Sequence, residues 1–174
     1  MEPRIDYGKT APEAGAAMLG LERYVRQTRL NRGLVELVKL RASLLNGCAY
    51  CTDMHTKVAG SQGETEQRLN AVSVWRDSPF YSERERAALA WTDAVTLISV
   101  DHVRDDVYDF ARQHFTEKEL VDLTVAIVAI NGWNRLAIAF RTVPGTFELD
   151  VQPSVEDAAQ DAGAEAIAAM MFGR

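Results

Sequence analysis

Apolar residues recur along most of this chain in steps of three and four, the spacing of one helix face, and no stretch alternates as a half-buried strand would. Met18, Leu21, Tyr24 and Val25 form a first stripe, and Thr10 with Glu13 ahead of it predicts a capping box. A second helix is predicted from near Asn31 to about Leu45, with Leu34, Leu37, Val38, Leu44 and Leu45 on one face and Glu36 off its edge. Arg41 falls near the middle of that face. A charge there needs a partner, room to snorkel, or a subunit contact.

Asn46-Gly47 breaks this helix, so Cys48 and Cys51 are expected to open the next, which runs to about Ala59 before Gly60 and Gly63. Glu64 and Glu66 start a fourth helix reaching Trp75, and Asp77-Ser78-Pro79 is a turn. Ser82 and Glu85 predict a capping box for a helix through Ile98. Asp101 is expected to cap a short helix ending at His114. Thr116 and Glu119 cap the last long helix, which is apolar nearly all round from Val121 to Ile130. Such a helix belongs at the centre of a bundle or between subunits. The expected organisation is all-α: one helical domain over 1–145, then a C-terminal extension over 146–174. In that extension Phe147 to Pro153 reads as extended and Ser154 as the cap of an Ala-rich acidic helix. It is either an appendage or an arm lying on a neighbour.

With 174 residues, 47% of them hydrophobic and 25% charged, the chain has the composition of an ordinary globular domain. A net charge of −6 without a basic block argues against a nucleic-acid partner. The polar start MEPRIDYGKT has no signal-peptide core, and the apolar run Val125 to Ile130 is too short to span a bilayer, so the expected location is the cytoplasm, with no membrane partner. In a reducing compartment two cysteines spaced C-x-x-C are more often catalytic or metal-binding than a structural staple.

Those cysteines, Cys48 and Cys51, give the stretch from Glu36 to His55 its chemical interest. Two thiols one turn apart can form a disulfide or share a metal ion. Cys51 and His55, at i and i+4, share a helix face and can exchange a proton. A helix N-terminus favours the thiolate, His55 can act as its base, and Glu36 can orient His55. Tyr50 lies between the cysteines and offers a hydroxyl donor. Haem attachment is excluded because Thr52, not histidine, follows Cys51. A metal site built from Cys48, Cys51, His55 and Glu36 lacks the second, distant ligand pair of most structural zinc sites. A buried structural cysteine pair is the plainer alternative, with Thr52, Asp53 and Lys57 against a wholly apolar setting. His102 and His114 lie in a polar segment away from the motif. Trp75, Trp91 and Trp133 fall at core spacings, and the asparagines beside Trp133 suggest a cavity or interface.

Glu36, eleven intervening residues, Cys48-x-x-Cys51, three residues and His55 together resemble the AhpD-like alkylhydroperoxidase and carboxymuconolactone decarboxylase superfamily. NGCAYC, GETEQRL, SERERAALAWTDAVT and NGWNRLAIAFRT extend the resemblance over roughly residues 10 to 143. It implies an all-helical AhpD-like bundle assembled into homotrimers or homohexamers. It also implies a cofactor-free thiol–disulfide cycle that reduces hydroperoxides and is recharged by a dithiol or thioredoxin-like reductant. Carried over, Cys51 is the peroxidatic cysteine, His55 its base, Cys48 the resolving cysteine and Glu36 part of the relay. The decarboxylase branch lacks the cysteine pair, so redox chemistry is favoured over lactone decarboxylation. Tyr50 is a departure, since well-characterised relatives carry histidine there. A non-catalytic redox sensor or scaffold is the alternative from another class.

Overall fold

The computed structural model describes residues 2–149, and every regular element among them is helical. In chain order these are α1 (Tyr7–Thr10), α2 (Pro12–Arg26), α3 (Arg32–Asn46), α4 (Ala49–Ser61) and α5 (Glu66–Ala71). A 3-10 turn over Val72–Val74 continues α5. Then come α6 (Glu83–Thr96), α7 (Ile98–Asp101), α8 (Asp105–His114) and α9 (Glu117–Phe140). The all-α expectation holds. The helix predicted after Ser154 lies outside the described residues.

Local chemistry explains most boundaries. Asn31 caps α3 by accepting a hydrogen bond from the Leu34 amide, and Gly47 ends it at φ 69°, a left-handed conformation that favours glycine. Both capping boxes, Ser82 with Glu85 on α6 and Thr116 with Glu119 on α9, form reciprocally as predicted. Two predicted caps do not form. Thr10 closes the short helix α1, and α2 starts instead at Pro12, whose fixed φ and missing N–H suit the first helical position. Asp101 ends α7 rather than opening α8, whose N-cap is Arg104. Gly60 lies inside α4, and the break comes at Gly63, φ 92°.

α3 is the central element, packed against α4, α6 and α9. Leu34, Leu37, Val38 and Leu40 are buried along it. The stripe on α2 is rotated from the one expected: Gly15, Leu19, Glu22 and Val25 face inward, while Tyr24 is exposed and donates a hydrogen bond to Asp122. Arg41 has partners inside the chain. Its guanidinium bonds both carboxylate oxygens of Asp93, at 2.6 and 3.2 Å, and the Ser73 carbonyl at 3.0 Å.

Within the single chain α9 is buried over only part of its circumference. Leu123, Ala126, Ile127 and Ile130 are fully buried, yet Val121 is 59% and Val128 50% exposed in the single chain. By length and composition the whole helix meets the requirements for crossing a membrane, which the short run Val125 to Ile130 did not. Its packing on α2, α3 and α6, with Asp122 and Asn134 buried, is that of a core helix. Gly132 lets α2 come close, because a Cβ there would stand 2.6 Å from the Met18 methyl. A polar seam ties α9 to α3: Asn46 donates to the side-chain oxygens of Asn131 and Asn134, and Asn134 donates to Ser43.

Candidate active site

The Asn46-Gly47 break turns the chain so that Cys48 becomes the N-cap of α4 and Cys51 lies in its first turn. Cys48 and Cys51 are joined by a disulfide, with Cα atoms 5.4 Å apart. The Cys48 sulfur also accepts the Cys51 amide at 3.3 Å, the capping contact of this helix. Any negative charge developing on that sulfur meets the positive end of the α4 dipole.

His55 lies one turn beyond Cys51 on α4, and its Nδ1 is 2.7 Å from Oε2 of Glu36 on α3. Burial pushes the Glu36 carboxyl up, but the adjacent His55, with Lys39 and Arg26 further away, outweighs it and holds the group below its usual value. As a carboxylate, Glu36 accepts a proton carried on Nδ1, so that in the neutral ring Nε2 is the nitrogen with the free lone pair. Among the described residues Nε2 has no hydrogen-bond partner, and His55 is only 4% exposed.

Tyr50 is buried beside the cysteines in a cluster with Leu19, Ala42, Met54, Ile130 and Trp133. Burial first, then Tyr7 and Asp53, push its hydroxyl up to about 12. At neutral pH it can donate a proton but not accept one. Its hydroxyl bonds neither sulfur among the described residues. Trp133 packs into this cluster as core, whereas His102 is exposed at the end of α7 and His114 ends α8.

A cavity of about 490 Å³ opens between α2, α3 and α4 and is closed on one side by Phe147 and Leu149. Glu36 and His55 line it; Cys48, Tyr50 and Cys51 do not. The cysteines are 1% and 2% exposed, and the disulfide lies outside the cavity wall. Two features of this region have no counterpart in the sequence reading. Lys39 and Glu22 form a buried ion pair at 2.6 Å on the cavity wall. Asp53 and Lys57 hold the C-terminal segment: Lys57 donates to Asp53 and to the Phe147 carbonyl, and the Gly145 amide donates to Asp53. The i,i+4 spacing of Asp53 and Lys57 is a local signal for their pairing, whereas nothing local signals the strap.

Comparison with known proteins gives a Bacillus subtilis relative, the uncharacterized protein YdfG, 44% identical over 139 residues that span 80% of this chain and 95% of YdfG. The profile of the carboxymuconolactone decarboxylase family matches residues 12–94. The chain belongs to that family. The cysteine pair places it in the family's AhpD-like branch. A crystal structure from Agrobacterium tumefaciens, of a protein of unknown function assigned to antioxidant defence under the AhpD name, is 49% identical. It superposes with a TM-score of 0.80 and covers 82% of this chain and 98% of its own. The debrominase Bmp8 bound to 2,3,4-tribromopyrrole shares the fold at a TM-score of 0.72 and 22% identity, covering 79% of this chain and 74% of its own. At that identity the family likeness extends to the fold alone. Membership in the carboxymuconolactone decarboxylase family thus accords with the resemblance carried by the Glu36, Cys48, Cys51 and His55 spacing.

Proposed function

We propose that this protein is a thiol-dependent hydroperoxidase acting in antioxidant defence. The observation that carries the reading is a disulfide at a helix N-terminus backed by a histidine whose Nδ1 is held by a carboxylate and whose Nε2 is open. In the reduced protein Nε2 of His55 takes the proton of Cys51. The thiolate attacks the outer peroxide oxygen, the O–O bond breaks, and the alkoxide leaves as an alcohol after taking a proton back from His55. Cys51 is then a sulfenic acid. Cys48 attacks its sulfur and releases water, giving the Cys48–Cys51 disulfide. A dithiol or thioredoxin-like reductant restores the two thiols by exchange, in a reducing compartment such as the cytoplasm. Tyr50 donates a hydrogen bond to the departing oxygen or sulfur. Steady-state consumption of a hydroperoxide with a dithiol reductant tests the reading. Turnover is expected, and a single stoichiometric oxidation that then stops would overturn it.

That second outcome is what a redox sensor would give, and one observation favours it: both sulfurs are shut off from the cavity. Lactone decarboxylation, the activity behind the family name, needs no thiol and would survive loss of both cysteines. The working form is a homotrimer or homohexamer. Support comes from Val121 and Val128, seven residues apart on one face of α9 and exposed in the single chain. Light scattering at micromolar concentration is expected to return a trimer or larger, and a folded monomer would contradict it.

A further inference from the structure

The cavity beside His55 has two kinds of wall. Val25, Leu30, Val35, Met54, Val58 and Phe147 supply apolar surface. The charged groups fall into pairs with a remainder. Lys39 is bound to Glu22 and His55 to Glu36, whereas Arg26 and Arg32, also on the wall, form no ion pair or hydrogen bond among the described residues. Arg26 feels the charges of Arg32, Glu22 and Glu36, and desolvation at this site, with the repulsion from Arg32, lowers its pKa. Arg32 is the first residue of α3, at the positive end of the helix dipole, and the first turn holds no acidic residue to offset it. Two arginines on the wall of a largely apolar cavity, one of them set against a helix dipole, leave the wall net positive even with the Glu36 carboxylate nearby, and are complementary to an anion. The cavity volume is within the range of small-molecule sites.

We propose that this cavity binds an amphipathic carboxylate, with its carboxylate between Arg26 and Arg32 and its alkyl chain along the apolar wall. Resting on the peroxidase reading above, the preferred substrate is then an alkyl hydroperoxide that itself carries a carboxylate. Its chain would point the peroxide toward His55, which lies one turn beyond Cys51 on α4. The chemistry is that already written: the hydroperoxide is reduced to the hydroxy acid, Cys48 and Cys51 are oxidised to the disulfide, and one water is released.

Binding is tested on the oxidised full-length protein by calorimetric titration with decanoate and with decanol. Decanoate is expected to bind, and decanol at least about tenfold more weakly, a difference of about 1.4 kcal/mol. The double variant Arg26→Ala, Arg32→Ala should reduce decanoate affinity by a similar factor while Arg26→Lys retains most of it, and circular dichroism checks that the variants are folded. Equal affinity for acid and alcohol, no binding of either, or an unchanged double variant would overturn the proposal. Decanoate that dissociates the oligomer as it binds would also overturn it, since the cavity would then be a subunit contact. For turnover, the ratio of kcat/KM for a carboxylate-bearing hydroperoxide to that for tert-butyl hydroperoxide should fall about tenfold in the double variant. Decanoate binding without turnover of any hydroperoxide keeps the pocket and removes the peroxidase reading. Turnover of tert-butyl hydroperoxide without decanoate binding does the reverse.

Discussion

Two of the charge sites on α3, those at Arg41 and Glu36, are built to opposite ends. At Arg41 the carboxylate of Asp93 accepts from Arg41, from Arg76 and from the Trp75 indole, while the remaining Arg41 nitrogen is bound to backbone carbonyls. Little hydrogen-bonding capacity is left over. At Glu36 the pairing is single: one carboxylate oxygen meets one ring nitrogen, and the other ring nitrogen has no partner among the described residues. A saturated site resists change because each partner lost leaves a charge stranded. A site with one open nitrogen stores an unmet demand that a thiol proton can satisfy. The difference in saturation, more than the charge itself, separates a structural ion pair from a candidate relay.

The largest break in this comparison should come from Asp93→Ala. It leaves Arg41 buried with its main partner gone, and a loss of about 3–5 kcal/mol in urea unfolding is expected. Next comes Glu36→Gln, which should do the converse. Stability should fall by no more than about 1–2 kcal/mol. Alkylation of reduced Cys51 near pH 7 should slow roughly tenfold, with the gap closing above pH ~9, where the thiolate forms unaided. Equal slowing at both pH values would make Glu36 a structural partner like Asp93.

The pH dependence of stability sharpens the contrast. Glu36 has a folded pKa below its unfolded one, so its contribution is fully present above about pH 4.3 and is lost as pH falls through the folded value. Acid unfolding of Glu36→Gln should therefore lack the part of the wild-type loss that sets in below that pH. Tyr50 runs the other way. With its hydroxyl pushed up to about 12, the neutral form is favoured in the fold, and that contribution is lost as pH rises from about 10 towards 12. Tyr50→Phe should unfold at a higher alkaline midpoint.

The smallest effect on turnover is expected at that same residue. Tyr50→Phe should slow it a few-fold by removing a donor, while Tyr50→His should add a titration near neutrality. An unchanged pH profile in both would place Tyr50 in the core alone.

Much of this was legible in the sequence because it is local. Asn31, Gly47, Ser82 and Thr116 mark helix ends through contacts within four residues, and each marks the end it should. The Cys48, Cys51 and His55 spacing is likewise settled by one helix. Thr10 misled because Pro12, two residues on, is a stronger start signal than a capping box. The placement of α9 was less legible because composition gives apolarity and not which side meets a neighbour, and Val121 and Val128 stay exposed in the single chain. The long-range pairs, Lys39 with Glu22 and Arg41 with Asp93, join residues 17 and 52 positions apart, and nothing local encodes them.

The central claim is that Cys51, backed by Glu36–His55, turns over hydroperoxide rather than serving as a passive disulfide. The most direct measurement is the steady-state rate of tert-butyl hydroperoxide consumption with dithiothreitol, in wild type and in Cys51→Ser. Many turnovers per subunit are predicted for wild type, and a rate no higher than the protein-free background for Cys51→Ser. Equal turnover in the two, or oxidation of wild type that stops after one equivalent, would contradict the account.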